Sequence, residues 1–165
     1  AAGQACENVR QSQWRDSIEV VCSDITKYTP DELKFDVIAC NPPFFRDSLR
    51  SPNAVRSQAR HNDSLSYEKL ADTVLRLLAN DGTFNLVLPF DMADTFTLIA
   101  ARRGLYMSKR TKVVTRQGVA PKRVLLSFVK QQIVHVEEDE LVMFDSNNAE
   151  TLDYISLVKD FYLKY

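Results

Sequence analysis

An α/β fold with a mainly parallel sheet covered by helices is what this sequence of 165 residues predicts. Three observations lead there. Short β-branched runs such as "FDVIAC" (35–40) alternate with stretches of helical periodicity, the order that builds parallel sheets. Two later runs flank "RQGVAPK", a turn segment with Gly118 and Pro121, and read as an antiparallel hairpin. Two runs end on Asp24 and on Asn41-Pro42-Pro43, polar or rigid residues at carboxyl ends of strands, where such sheets collect ligands. The length suits one domain spanning 1–165.

The elements follow in order. "AAGQACENVRQS" has helical spacing and reads as the later part of a helix. "IEVVCSDI" (18–25) reads as a strand ending at Asp24, and Phe35–Cys40 as a second, buried strand. Residues 46–63 are polar and irregular, a long loop carrying Arg46, Arg50, Arg56 and Arg60. Tyr67, Leu70, Ala71, Val74, Leu77 and Leu78 then recur at helical intervals, with Ser64 or Ser66 as the cap and Asn80-Asp81-Gly82 as the stop. "TFNLVLPF" is a third strand. A helix over about 91–103 is closed by Gly104, and "LYMSKRTKVVT" and "RVLLSFV" form the hairpin. "ELVMFD" reads as an edge strand, and "TLDYISLVKDFY" has apolar residues at helical intervals.

Composition excludes several classes of function. No apolar run reaches the ~20 residues that cross a bilayer, and the first residues lack the features of a signal peptide. The three cysteines have no CxxC spacing, which points to reduced thiols and a cytoplasmic location. His61 and His135 stand far apart without ligand clusters, so no metal is expected. The net charge of −1 conceals an asymmetry: residues 101–130 hold nine Lys/Arg and no acid, whereas 131–165 hold eight acids and two lysines. Such a one-sign block suits either a polyanion surface or a solvated face.

"NPPFF" (41–45) carries the most chemistry. The Asn41 side-chain oxygen accepts hydrogen bonds, and Pro42 offers a carbonyl but no N–H. The residue before a proline is biased to an extended backbone, so the corner is stiff. It suits an exocyclic –NH₂ group, whose two N–H bonds can go to the Asn41 oxygen and the Pro42 carbonyl, steering the nitrogen lone pair towards an electrophile. Phe44 offers a flat face for a planar ring, worth on the order of 1–3 kcal/mol per stacked base. A plain strand terminator followed by core phenylalanines fits the same residues.

Asn-Pro-Pro-aromatic after such a strand resembles the signature of Rossmann-like methyltransferases acting on amino or amide nitrogens. With "ARHNDSLSYEKL", "VTRQGVAPKRVLLSF" and the closing "DFYLKY", nearly the whole chain resembles the bacterial tRNA(Val) adenine-N6 methyltransferase family. That resemblance implies a Rossmann-like sheet, S-adenosyl-L-methionine as methyl donor, tRNA as partner, and an adenine of the anticodon loop as target. It implies that Asn41, Pro42, Pro43 and Phe44 grip the target base and that Asp24 accepts a hydrogen bond from the cofactor's adenine amine, with Ile25 beside that ring and Asn41 also near the cofactor. Phe45, Arg56, Arg60, His61, Lys109, Arg110, Lys122 and Arg123 would meet RNA. The family pattern opens with a strand and a Gly-rich turn, yet Gly3, Gly82, Gly104 and Gly118 form no such loop. The resemblance therefore implies that the N-terminal strands are missing from this chain, that the chain alone binds cofactor poorly, and that its unpaired strand edges favour self-association. A methyltransferase of a protein glutamine or of an rRNA guanine N2, and a non-catalytic RNA-binding module, remain open alternatives.

Overall fold

The computed structural model describes residues 1–30, 33–42 and 65–162. The chain divides into two compact units, Ala1–Asp31 and Glu32–Tyr165.

The first unit contains helix α1, Ala2–Gln11. None of residues 1–30 is buried, and Trp14, Ile18, Val21 and Ile25 are all exposed. The strand expected over 18–25 is not formed. A β-branched run becomes a strand only when a neighbour supplies ladder hydrogen bonds, and among the described residues the sheet does not include this run. Asp24 instead closes a local turn: its Oδ1 accepts from the Thr26 N–H at 3.0 Å and from Thr26 Oγ1 at 2.7 Å.

The second unit is built on a five-stranded sheet of order β1-β2-β4-β3-β5. The strands are β1 Phe35–Cys40, β2 Leu78–Pro89, β3 Tyr106–Arg116, β4 Arg123–Val129 and β5 Glu137–Phe144. β1 is parallel to β2, β4 is antiparallel to both β2 and β3, and β5 is parallel to β3. Four strands thus run one way and β4 alone runs the other, as expected of a mainly parallel sheet closed by a hairpin.

Helices α2 (Tyr67–Leu77) and α3 (Ala93–Ala101) contribute to one core. Ser66 caps α2, its side chain accepting from the Lys69 N–H at 3.3 Å. Leu70, Ala71 and Val74 from α2, and Ala93, Phe96 and Ala100 from α3, join Phe84, Leu86, Leu88, Val124, Leu126 and Phe128 of the sheet. Alternate strand residues point to opposite faces, so this set defines the helix-covered face. A turn of 3₁₀ helix, Phe90–Met92, leads from β2 into α3, and Gly104 follows α3 with φ of 90°. The tail helix α4, Leu152–Val158, is capped by Thr151.

Two boundaries differ from expectation. The helix already ends at Leu77 and β2 begins at Leu78, so Asn80-Asp81-Gly82 lies within the strand rather than stopping the helix. The register jumps here, Phe35 pairing with Leu78 but Val37 with Thr83. β5 starts at Glu137, three residues earlier than the expected edge strand, because its acids fall opposite the basic residues of β3.

Candidate active site at the carboxyl edge of the sheet

β1 stops where its sequence stops supplying donors. Cys40 is its last paired residue, opposite Leu86, and Pro42 has no N–H to continue a ladder. Pro42 is buried while Asn41 is exposed. The proline thus anchors the corner and leaves the amide facing outward. Asn41 borders a cavity of about 550 Å³, with Ala39, Asn85, Val87, Lys109, Thr111, Leu125 and Ser127 among its lining. These residues alternate with the core set, so the cavity lies on the sheet face opposite α2 and α3. In its wall Ser127 Oγ donates to Asn85 Oδ1 at 2.7 Å, which joins the side chains of β4 and β2. Cys40, next to Asn41, has its thiol pushed above the ordinary value by burial.

Strand direction decides what else reaches this edge. β2 runs parallel to β1, so its end, Pro89-Phe90, lies on the same rim. β4 runs the other way, so its beginning does too: Pro89 pairs with Arg123, and the Phe90 N–H donates to the Lys122 carbonyl at 3.2 Å. Arg116, at the end of β3, completes the basic side of the rim. Lys122, Arg123 and Arg116 are exposed.

The structure does not bring all the expected RNA-binding cations together. Lys109 and Arg110 lie in mid-sheet, paired with Ser127 and Leu126, and their side chains point to opposite faces. Lys109 Nζ lies 2.5 Å from Glu137 Oε1, a hydrogen bond that raises the lysine's pKa. Arg110 Nη1 lies 3.0 Å from Asp94 Oδ1, and its guanidinium carbon sits 5.4 Å from the centre of the Phe90 ring. Its Nε is buried with no hydrogen-bond partner among the described residues. A cation over an aromatic face contributes on the order of 0.5–1 kcal/mol at such a site. Arg110 therefore ties the 3₁₀ turn to the sheet.

Asp24 and Ile25 belong to the first unit and are both exposed. The Asp24 Oδ2 lies 3.9 Å from Lys27 Nζ. Pro43, Phe44, Phe45, Arg56, Arg60 and His61 lie outside the described residues. Sequence reasoning missed Phe90, Asp94 and Glu137 as partners of the basic block. For Glu137 a signal existed, since "EEDE" (137–140) mirrors "KRTK" (109–112) in charge, but which strands become neighbours is a matter of topology. Among the described residues no group of three His, Cys, Asp or Glu could hold a metal ion, and no helix is long and apolar enough to cross a membrane.

Known proteins place this geometry in a family. The model of the RMKL-like methyltransferase domain family (UPF0020) matches residues 2–113. A tRNA1(Val) (adenine(37)-N6)-methyltransferase of Bacteroides fragilis is 45% identical over 168 residues, covering 99% of this chain and 70% of the relative. The protein of that description from Bacteroides thetaiotaomicron is 45% identical over 164 residues, covering 99% and 68%. One from Haemophilus influenzae is 38% identical over 166 residues, covering 100% and 69%. In structure, a crystal structure described as a predicted O-methyltransferase from Agrobacterium tumefaciens superposes with a TM-score of 0.70 at 19% identity, covering 96% of this chain and 72% of the other; at that identity the likeness concerns the fold. On the strength of the sequence matches, the chain belongs to the tRNA1(Val) (adenine(37)-N6)-methyltransferase family.

Proposed function

We propose that this protein transfers a methyl group to the exocyclic N6 amine of adenine 37 in the anticodon loop of a valine tRNA, in the cytoplasm. The names carried by its relatives support that reading. The observation that carries it is the exposed Asn41 beside that cavity, with the buried Pro42 next to it.

The residues at the site fit such a reaction. Asn41 Oδ1 and the Pro42 carbonyl are acceptors without a competing amide donor at Pro42, so they can hold the two N–H bonds of an aromatic amine. Phe44, by its place in the sequence, supplies the face on which the extruded base stacks. Extruding a base costs a few kcal/mol and is cheapest in a single-stranded loop. S-adenosyl-L-methionine, when bound, supplies an already activated methyl group. The carboxylate of Asp24 is an exposed acceptor suited to that cofactor's exocyclic amine, and the exposed Ile25 offers it an apolar neighbour. The chain's own task is orientation, which accounts for most of the rate in reactions between well-aligned partners. The departing proton goes to solvent or to an acceptor. Lys122 and Arg123, at the same rim as Asn41, would take phosphates of the RNA.

Asn41→Ala should lower methyl transfer to tRNA by at least about a hundredfold, the scale at which misplacing a reacting group acts, while calorimetric binding of S-adenosyl-L-methionine stays within about threefold. Undiminished transfer by that variant would remove Asn41 from the reaction. Replacing Lys122 and Arg123 by glutamine should flatten the salt dependence of tRNA binding by about 0.7 for each phosphate no longer neutralised. An unchanged slope would place the RNA elsewhere.

A further inference from the structure

We propose that Arg110 is a positioning residue for the RNA: it holds the turn after β2, and through that turn the start of β4, in fixed relation to the Asn41 corner. The inference deepens the tRNA reading of this site and rests on it.

The 3₁₀ turn Phe90–Met92 is not held by its own sequence. No side chain caps it, and none caps the helix α3 that follows. A helix start without such a cap lacks the hydrogen bond that usually fixes it. Contacts from two strands take its place. From β4, the Lys122 carbonyl accepts from the Phe90 N–H at 3.2 Å. From β3, the guanidinium carbon of Arg110 sits 5.4 Å from the centre of the Phe90 ring, and Nη1 lies 3.0 Å from Asp94 Oδ1 in the first turn of α3. One side chain thus grips the turn at both ends. The turn is bonded in its turn to Lys122, which would take a phosphate, and follows Pro89 at the rim where β1 ends on Asn41.

Arg110 gains the fold little stability by doing this. The Asp94 side chain is 86% exposed, and an ion pair with so solvated a partner contributes little. Arg110 Nε is buried with no hydrogen-bond partner among the described residues, which costs free energy. Removing Arg110 would leave neither partner buried and unsatisfied, because water meets Asp94 and Phe90 needs only an apolar neighbour. The loss of Arg110 should therefore show in the placing of the rim and not in unfolding. A shift of about 1 Å caused far from the reacting atoms can cost about a hundredfold in rate.

The test compares the unaltered protein with Arg110→Met and Arg110→Lys. Methionine keeps an apolar stem but has no charge and no N–H. Arg110→Met should unfold in urea at a midpoint no lower than that of the unaltered protein. Amide hydrogen exchange at Phe90, whose N–H meets the Lys122 carbonyl, should become at least about fivefold faster. The kcat for tRNA should fall at least about tenfold, with tRNA affinity and the KM for S-adenosyl-L-methionine within about threefold. Arg110→Lys keeps a cation over the ring and should bring both exchange and kcat back to within about threefold. A lower midpoint in step with lost activity would make Arg110 a structural brace, and a large loss of tRNA affinity would make it a phosphate contact. Either result, or unchanged exchange at Phe90, or undiminished kcat, would overturn the positioning role. Transfer to tRNA by the unaltered protein is read alongside. Its absence would sink the tRNA reading, while exchange and unfolding alone decide whether Arg110 holds the turn.

Discussion

Asn41 owes its exposure to the residue after it. Pro42 ends the ladder, restricts Asn41 to extended backbone and is itself buried, so the amide is carried outward on a fixed support. This much was readable in the sequence, because a proline acts locally and in any fold. The roles of Lys109 and Arg110 were not readable, because they depend on neighbours distant in the chain. Arg110 meets Asp94 and Phe90, which no local pattern announces, and Lys109 meets Glu137, whose matching charge does not tell which strands become neighbours. Cys40 gives a residue-scale prediction. Burial raises its thiol above the ordinary 9.0, whereas Cys6 and Cys22 are exposed. The folded state therefore keeps the Cys40 proton where the unfolded chain would release it. Its contribution to stability is intact below pH 9 and is lost as pH rises through the raised value. Iodoacetamide at pH 8, followed by peptide mass spectrometry, should label Cys6 and Cys22 at least about tenfold faster than Cys40, since only the thiolate reacts. Equal rates at the three sites would mean that the end of β1 is open from behind.

Among the elements, helices and hairpin followed the expected pattern closely. Ser66 caps α2 as its place before the apolar repeat suggests, and the turn at Gly118 adopts φ of 81°. The two misjudged segments share one cause. A strand is defined by what it pairs with, so Ile18–Ile25 forms none despite its β-branched composition, and Asn80-Asp81-Gly82 joins one despite its turn-like composition. Gly82 makes the second case possible. A Cβ there would come within 2.9 Å of the Phe35 and Asp36 carbonyl oxygens and of Leu78 Cδ1. Two of those neighbours are backbone atoms that cannot turn aside, so β1 would have to move. Gly82→Ala should cost about 1–3 kcal/mol in urea unfolding. A cost below about 0.5 kcal/mol would show that the register jump between β1 and β2 is soft.

For the molecule as a whole, the sheet's directions decide where function can lie. Parallel β1 and β2 end on the edge where antiparallel β4 begins, which puts an amide, an aromatic turn and a basic pair on one rim although they come from residues 41, 90 and 122–123. The sequence indicated the amide and the basic block but could not say which part of that block would face the same way. Of that block, Lys109 is bonded to Glu137 of β5 and Arg110 to Asp94. Family membership and rim geometry together point to one chemical outcome, a methylated adenine amine in tRNA. The most direct measurement is nucleoside mass spectrometry of purified valine tRNA from cells in which this gene is deleted, then restored intact or as Asn41→Ala. The account predicts that N6-methyladenosine disappears on deletion, returns with the intact gene, and stays absent with Asn41→Ala. Persistence of the modified base after deletion, or its full return with the variant, would contradict it.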